Sequence, residues 1–197
     1  MTDATVSPES SIDVRFRLDG REVTCQVSPR DLLSDVLRHE LGATGVHVGC
    51  EQGACGACTV TFDGAVVRSC LMLAVQAEGH EVTTVASLGS LDRLHPLQEA
   101  FRSEYGLQCG YCTPGILVSM AAAAGAGASV TQAVADVLPG HLCRCTGYAG
   151  IRAAVRRAWP ELAGAPGGTR TDGGPHGGPH TGQAGQAGQA TSAAVRS

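Results

Sequence analysis

Gly49-Cys50-Glu51-Gln52-Gly53-Ala54-Cys55-Gly56-Ala57-Cys58-Thr59 is the stretch from which the rest of the chain is read. Three cysteines fall within nine residues, and glycines stand at 49, 53 and 56. A loop that wraps closely round an inorganic group cannot carry a Cβ at its tightest points. Glycine removes that obstacle and opens positive φ. It also lets backbone N–H groups turn inward, where they stabilise an anionic, thiolate-bound group.

Cys70 follows Cys58 after eleven residues and completes a set of four thiols. Four thiolates are what a [2Fe–2S] cluster requires, and C-x4-C-x2-C is the plant-type ferredoxin spacing. The short gap before Cys70 departs from plant ferredoxins, which place that cysteine much farther along. A zinc site would ordinarily use two C-x2–4-C knuckles, and Cys58 and Cys70 do not make one. A second set lies at Cys109-x2-Cys112 and, thirty residues on, Cys143-x-Cys145. Cys112 stands just before a helix expected to begin near Pro114, where the helix dipole favours a thiolate. On spacing alone zinc rivals iron at this second set, although the C-x-C pair is unusual for a zinc ribbon.

The 197 residues suffice for one domain or two small ones. A formal charge of -4 argues against a nucleic-acid partner, which would favour a basic face. No apolar run approaches the roughly 18 residues of a membrane span. The first eleven residues carry no basic or apolar signal segment, so a cytoplasmic location is expected. In a reducing compartment, clustered cysteines bind metal more often than they form disulfides.

Ile12, Val14, Phe16 and Leu18 alternate with polar residues as a half-buried strand does. Asp19-Gly20 turns it into a return strand ending at Val27. Ser28-Pro29 is expected to open a helix whose buried stripe is Leu32, Leu33, Val36 and Leu37, with Gly42 at its end. Thr59–Phe62, the Asp63-Gly64 turn and residues 65–67 form a second hairpin, and residues 81–85 a further short strand. Helices are expected over 95–105, 113–124, 129–138 and 148–159. The fold class is therefore α+β: a sheet domain over residues 11–87 and a four-helix domain over 88–162. The tail, 163–197, contains GGPH twice and GQA three times and is expected to be disordered.

GCEQGACGACTV at 49–60, SCL at 69–71, HPLQEAF at 95–101, QCGYCTPG at 108–115 and LCRCTGY at 142–148 occur in this order. Together they resemble the small iron–sulfur subunit of the molybdenum hydroxylases, the family of xanthine dehydrogenase, aldehyde oxidase and aerobic carbon monoxide dehydrogenase. The resemblance spans about residues 11–160, and the eleven-residue gap before Cys70 is this family's spacing. It implies an N-terminal β-grasp ferredoxin-like domain whose Cys50, Cys55, Cys58 and Cys70 hold the distal [2Fe–2S] cluster. It implies a four-helix domain whose Cys109, Cys112, Cys143 and Cys145 hold the proximal one. Gln108 is implied to hydrogen-bond the pterin of a molybdenum cofactor, and Cys145 to lie against it. That cofactor would sit on a large partner subunit and FAD on a medium one. The chain would carry electrons between them and would own no catalytic acid, base or nucleophile.

Two other functions fit parts of the sequence. A stand-alone two-cluster ferredoxin would have no need of a pterin-facing Gln108. A zinc-stabilised interaction module would be colourless and redox-silent. Cys25, the ninth cysteine, reads as a small buried hydrophobe. His47 reads as a structural histidine beside the first loop, and His95 as a helix cap or surface residue. His141 and Arg144 flank the second set, and Arg144 reads either as a counter-charge or as a solvated or subunit-facing side chain. Arg152, Arg156 and Arg157 make a basic helix face. His176 and His180 read as part of a solvated tail.

Overall fold

The computed structural model describes residues 11–163. The readings made for residues 1–10 and 164–197 lie outside the described residues.

Strands β1 (Ile12–Leu18) and β2 (Arg21–Val27) form an antiparallel hairpin with Leu18 opposite Arg21. Asp19 and Gly20 have φ of 50° and 78°, so both central residues of the turn are left-handed, as a two-residue hairpin of this type requires. Alternation along β1 puts Val14, Phe16 and Leu18 into the core, while Ile12 stays exposed at the open end. β3 (Thr59–Phe62) and β4 (Ala65–Arg68) form the second hairpin over Asp63-Gly64. β5 (Glu81–Thr83) joins the two hairpins. The sheet order is β2-β1-β5-β3-β4, with β1 and β5 parallel and the other pairs antiparallel.

Helix α1 (Leu33–Asp35) widens into a π-helical turn over Val36–Glu40. Leu33, Val36 and Leu37 pack into one cluster with Val14, Phe16, Val60 and Val82. A mixed sheet folded over one helical segment is the expected β-grasp arrangement, and Gly42, at φ 67°, ends the segment as expected. The start of α1 differs from the expectation. Asp31 Oδ2 accepts the Ser28 N–H at 2.7 Å, which closes a local turn over Pro29 and Arg30. The Asp31 carbonyl accepts the Ala74 N–H at 2.8 Å, and Leu32 bridges to Leu73. These ties hold Pro29 and Arg30 in a turn and leave Leu32, with extended backbone, as the residue before the helix, so Ser28 does not cap it.

The second half is helical: α2 (Pro96–Ser103), α3 (Thr113–Gly125), α4 (Val130–Gln132, widening over Ala133–Val137) and α5 (Ala149–Ala163). His95 caps α2: its Nδ1 accepts the Leu97 N–H at 3.2 Å, while Gln98 Oε1 accepts the His95 N–H at 2.8 Å. Ser129 and Gln132 form the same reciprocal cap on α4. Leu97, Phe101, Ile116, Met120, Ile151 and Trp159 make the core, and Ala100, Ala133, Ala154 and Ala158 let the helices approach closely. With few aromatics available, each fully buried Leu, Ile or Phe contributes about 1.5–3 kcal/mol. The sequence reading stops the last helix at Trp159, before Pro160. α5 instead runs on to Ala163, where Leu162 still packs on the helical core.

Helix α3 packs against β3 and β4, so the helical half is seated on the sheet beside the first cysteine loop. Among the described residues no helix is long and apolar enough to cross a membrane.

Candidate iron–sulfur sites

The first loop runs from Gly49 into β3, and residues at positive φ bend it: Glu51 at 52°, Gly53 at 74° and Gly56 at 81°. Cys58 and Cys70 are buried in the sheet core, and Cys50 and Cys55 are partly exposed. Cys70 reaches the site because β4 returns the chain to a short 3-10 turn over Ser69–Leu71. Cys50 Sγ accepts backbone N–H groups from Cys55 at 3.3 Å and Gln52 at 3.4 Å. These inward N–H groups, Gln52 first, lower the Cys50 thiol to about 7. Burial pushes Cys70 up to about 11, with the neighbouring Cys58 thiol adding to it. The thiols meet in pairs, Cys50 with Cys55 and Cys58 with Cys70.

In the second set Cys109 and Cys145 are exposed and their sulfurs lie 3.4 Å apart. Cys112 is the residue before α3, is buried, and pairs with Cys143. Burial, then the Cys143 thiol, pushes Cys112 up to about 12. Cys143 is also pushed up by burial, but the Thr146 hydroxyl and backbone N–H outweigh this and leave it lowered. Thr146 Oγ1 lies 3.1 Å from Cys143 Sγ. The Tyr148 hydroxyl accepts the Cys143 N–H at 2.8 Å and donates to the His141 carbonyl at 3.0 Å. Tyr148 itself is held at φ 65°.

The two sets adjoin. The Leu142 N–H donates to the Cys55 carbonyl at 2.9 Å. Arg68 bonds the Gly140 carbonyl at 2.7 Å and also the Thr59 hydroxyl. A Cβ on Gly56 would stand 2.5 Å from His141 Nδ1, so only glycine fits there. His141 is buried and its Nε2 is paired with Ser119 Oγ at 2.8 Å. Burial, then the Arg68 charge, pushes it down to about 4, so the ring is neutral at pH 7. A cleft of about 240 Å³ runs between the sets, lined by Cys55, Cys109, Cys112, Cys143 and Cys145 with Tyr111 and Leu142.

The donor set fits [2Fe–2S] clusters. Each half of the chain carries four free cysteines in its set, and a two-iron cluster takes four thiolates, two on each iron. Gln108 is exposed, one residue before Cys109. Cys25 is partly buried and packs against the sheet core. Arg144 lines the cleft. The sequence reading missed Tyr111, Arg68, Thr146 and Tyr148, and took His47 for an unassigned structural histidine. Its Nδ1 bonds the Tyr111 carbonyl at 2.8 Å. The Tyr-Cys and Thr-Gly-Tyr contexts of the motifs were the only local signals.

Comparison with known proteins agrees with this geometry. Residues 16–86 match the family of 2Fe-2S iron-sulfur cluster binding domains, and residues 84–156 match the family described as [2Fe-2S] binding domain. The chain is 46% identical over 155 residues to the caffeine dehydrogenase subunit gamma of Pseudomonas sp. (strain CBB1), covering 77% of this chain and 93% of that one. It is 46% identical over 152 residues to the nicotine 6-hydroxylase small subunit of Paenarthrobacter nicotinovorans, covering 77% and 92%. The crystal structure of quinoline 2-oxidoreductase from Pseudomonas putida 86 contains a chain that superposes with a TM-score of 0.73 at 42% identity, covering 78% of this chain and 96% of that one. Aldehyde oxidoreductase from Desulfovibrio gigas superposes with a TM-score of 0.72 at 42% identity; 78% of this chain matches 17% of that longer one.

Proposed function

The chain belongs to the small [2Fe–2S] subunits of the molybdenum hydroxylase-type oxidoreductase complexes, and from that premise we propose how its residues serve as the electron-transfer subunit. Cys50, Cys55, Cys58 and Cys70 hold one cluster, and Cys109, Cys112, Cys143 and Cys145 hold the other. When bound, the two clusters supply one-electron carriers that link a two-electron site to an acceptor.

Residues 11–87 and 88–162 act as two domains, each built round its own cysteine set. The observation that carries the reading is the pairwise meeting of all eight thiols, with the two sets joined by the Leu142–Cys55 hydrogen bond. Inward N–H groups at Cys50 and the Thr146 hydroxyl at Cys143 are placed to stabilise sulfur charge.

The exposed Gln108, Cys109 and Cys145 lie on a face that meets a large subunit bearing a molybdenum–pterin cofactor. Gln108 hydrogen-bonds the pterin and Cys145 lies against it. A medium subunit bearing FAD takes the electrons beyond the first set. The complex works in the cytoplasm. The chain itself converts no substrate.

The test is EPR of the dithionite-reduced, anaerobically purified full chain, with iron and zinc counted on the same sample. Two distinct [2Fe–2S] signals and about four irons per chain are expected, as two two-iron clusters require. Zinc with no signal sinks the reading. Co-purification with a molybdenum-containing subunit, lost on replacing residues of the Gln108 face, tests the partner.

A further inference from the structure

Tyr111 stands between Cys109 and Cys112, inside the second cysteine set, yet its bonds go to His47 and Val48, which lead into the first loop. Its hydroxyl donates to the Val48 carbonyl at 2.7 Å, and its own carbonyl accepts from Nδ1 of His47 at 2.8 Å. The two rings stack, with centroids 4.6 Å apart and 21° between their planes. The tyrosine ring also closes over Gly49: a Cβ there would stand 3.5 Å from Tyr111 Cε1 and 3.2 Å from Cys55 Sγ. One aromatic side chain therefore borders both cysteine sets and lines the cleft between them.

The other cross-ties act elsewhere. The Leu142–Cys55 bond holds the Cys143–Cys145 segment to the first loop, and the Arg68–Gly140 bond holds the residues before it to the end of β4. The Cys109–Cys112 segment, whose Cys109 is exposed, is fastened to that loop through Tyr111 and His47.

We propose that Tyr111 and His47 are a positioning pair that fixes the separation of the two cysteine-held clusters. The inference rests on the two-cluster reading above. The step it serves is the exchange of one electron, in which one site is oxidised as the other is reduced. No bond breaks, and Tyr111 neither gives up nor accepts an electron or proton. Electron exchange falls steeply with the distance between the two sites, so a loop that drifts slows it. The reciprocal bonds make the pair specific: Tyr111 ties its side chain to residue 48, and His47 ties its side chain back to the Tyr111 backbone.

The experiment uses the full-length, cluster-bearing protein as wild type, Tyr111→Phe, Tyr111→Ala and His47→Ala. With both clusters reduced, low-temperature EPR reads their mutual magnetic splitting, which reports their separation. Freeze-quench sampling after sub-stoichiometric reduction reads how fast the electron equilibrates between them. Tyr111→Ala is expected to shrink the splitting and to slow equilibration severalfold. His47→Ala moves both in the same direction, and Tyr111→Phe, which keeps the ring, restores most of the splitting. A merely structural role would lower the melting temperature and leave splitting and rate unmoved. Unchanged splitting and rate in an iron-replete Tyr111→Ala protein overturns the inference and leaves the two-cluster reading standing. If Tyr111→Ala takes up no iron, the other two variants decide, and wild-type values in both overturn it. A wild-type protein with fewer than two [2Fe–2S] signals overturns the reading and the inference together.

Discussion

Gly115, in the first turn of α3, lies so close to Gly56 of the first cysteine loop that a Cβ on it would stand 2.1 Å from the Gly56 carbonyl oxygen. The obstacle is backbone, so it cannot swing aside as a side chain would. Gly115→Ala therefore has to lift α3 from the loop. It is expected to destabilise by about 1–3 kcal/mol, as overpacking does, and to loosen both cysteine sets. Thermal unfolding with iron counting checks this, and a replacement of the unhindered Gly125 is the control.

The cysteines divide by environment. Cys70 is part of the sheet core, whereas Cys145 is exposed. Cys70→Ser and Cys145→Ser should each take iron from about four to about two per chain, one cluster being lost in each. Cys70→Ser additionally buries an unmet hydroxyl, at about 1–3 kcal/mol, so the sheet half unfolds at lower denaturant. Cys145→Ser should leave that transition in place. Iron analysis and urea unfolding followed by circular dichroism separate the two.

Both cysteine sets were legible because their ligands recur at short spacings in long motifs, and the strands because alternation and Asp-Gly turns are local signals. The ties between the sets were not. Val48–Tyr111, His47–Tyr111 and Arg68–Gly140 join a side chain to a backbone carbonyl 63, 64 and 72 residues away. No periodicity marks a residue for such a bond. The misplaced helix start at Ser28 has the same origin. Serine before proline is a good cap locally, but the long-range bond between Ala74 and Asp31 decides the backbone there.

His95 gives the helical half a pH dependence. Its Nδ1 must be unprotonated to accept the Leu97 N–H, and burial lowers its pKa below the ordinary value. The unfolded chain takes up the proton near pH 6.5, the folded chain only at lower pH. Unfolding therefore binds a proton in that window, and stability is full above about pH 6.5 and falls as the pH drops towards the folded pKa. His95→Asn keeps a cap acceptor that does not titrate and should lessen the dependence, the remainder coming from His141, whose pKa burial also lowers, to about 4. Melting temperatures of both proteins between about pH 5 and 7.5 check it; parallel curves would assign the acid sensitivity elsewhere.

Thr146 is placed to tune the second set. Its oxygen accepts the Tyr148 N–H at 3.1 Å, and toward a Cys143 thiolate, which has no hydrogen of its own, the hydroxyl donates to Sγ at 3.1 Å. A donor on a cysteine sulfur favours the reduced, more negative state, so removing it lowers the potential. Hydrogen bonds to charged groups are worth about 1.5–3 kcal/mol in all. If about 0.5–1.4 kcal/mol of that differs between the two redox states, the shift is about 20–60 mV for a one-electron couple. Thr146→Val is expected to lower one cluster's potential by that amount and leave the other in place, because nothing at Cys50, Cys55, Cys58 or Cys70 bonds to Thr146. Thr146→Ser keeps the hydroxyl and should restore the wild-type value. An EPR-monitored redox titration resolves the two signals separately. A shift in both would mean that the variant had disturbed the joint at Leu142 and Cys55 rather than the sulfur itself.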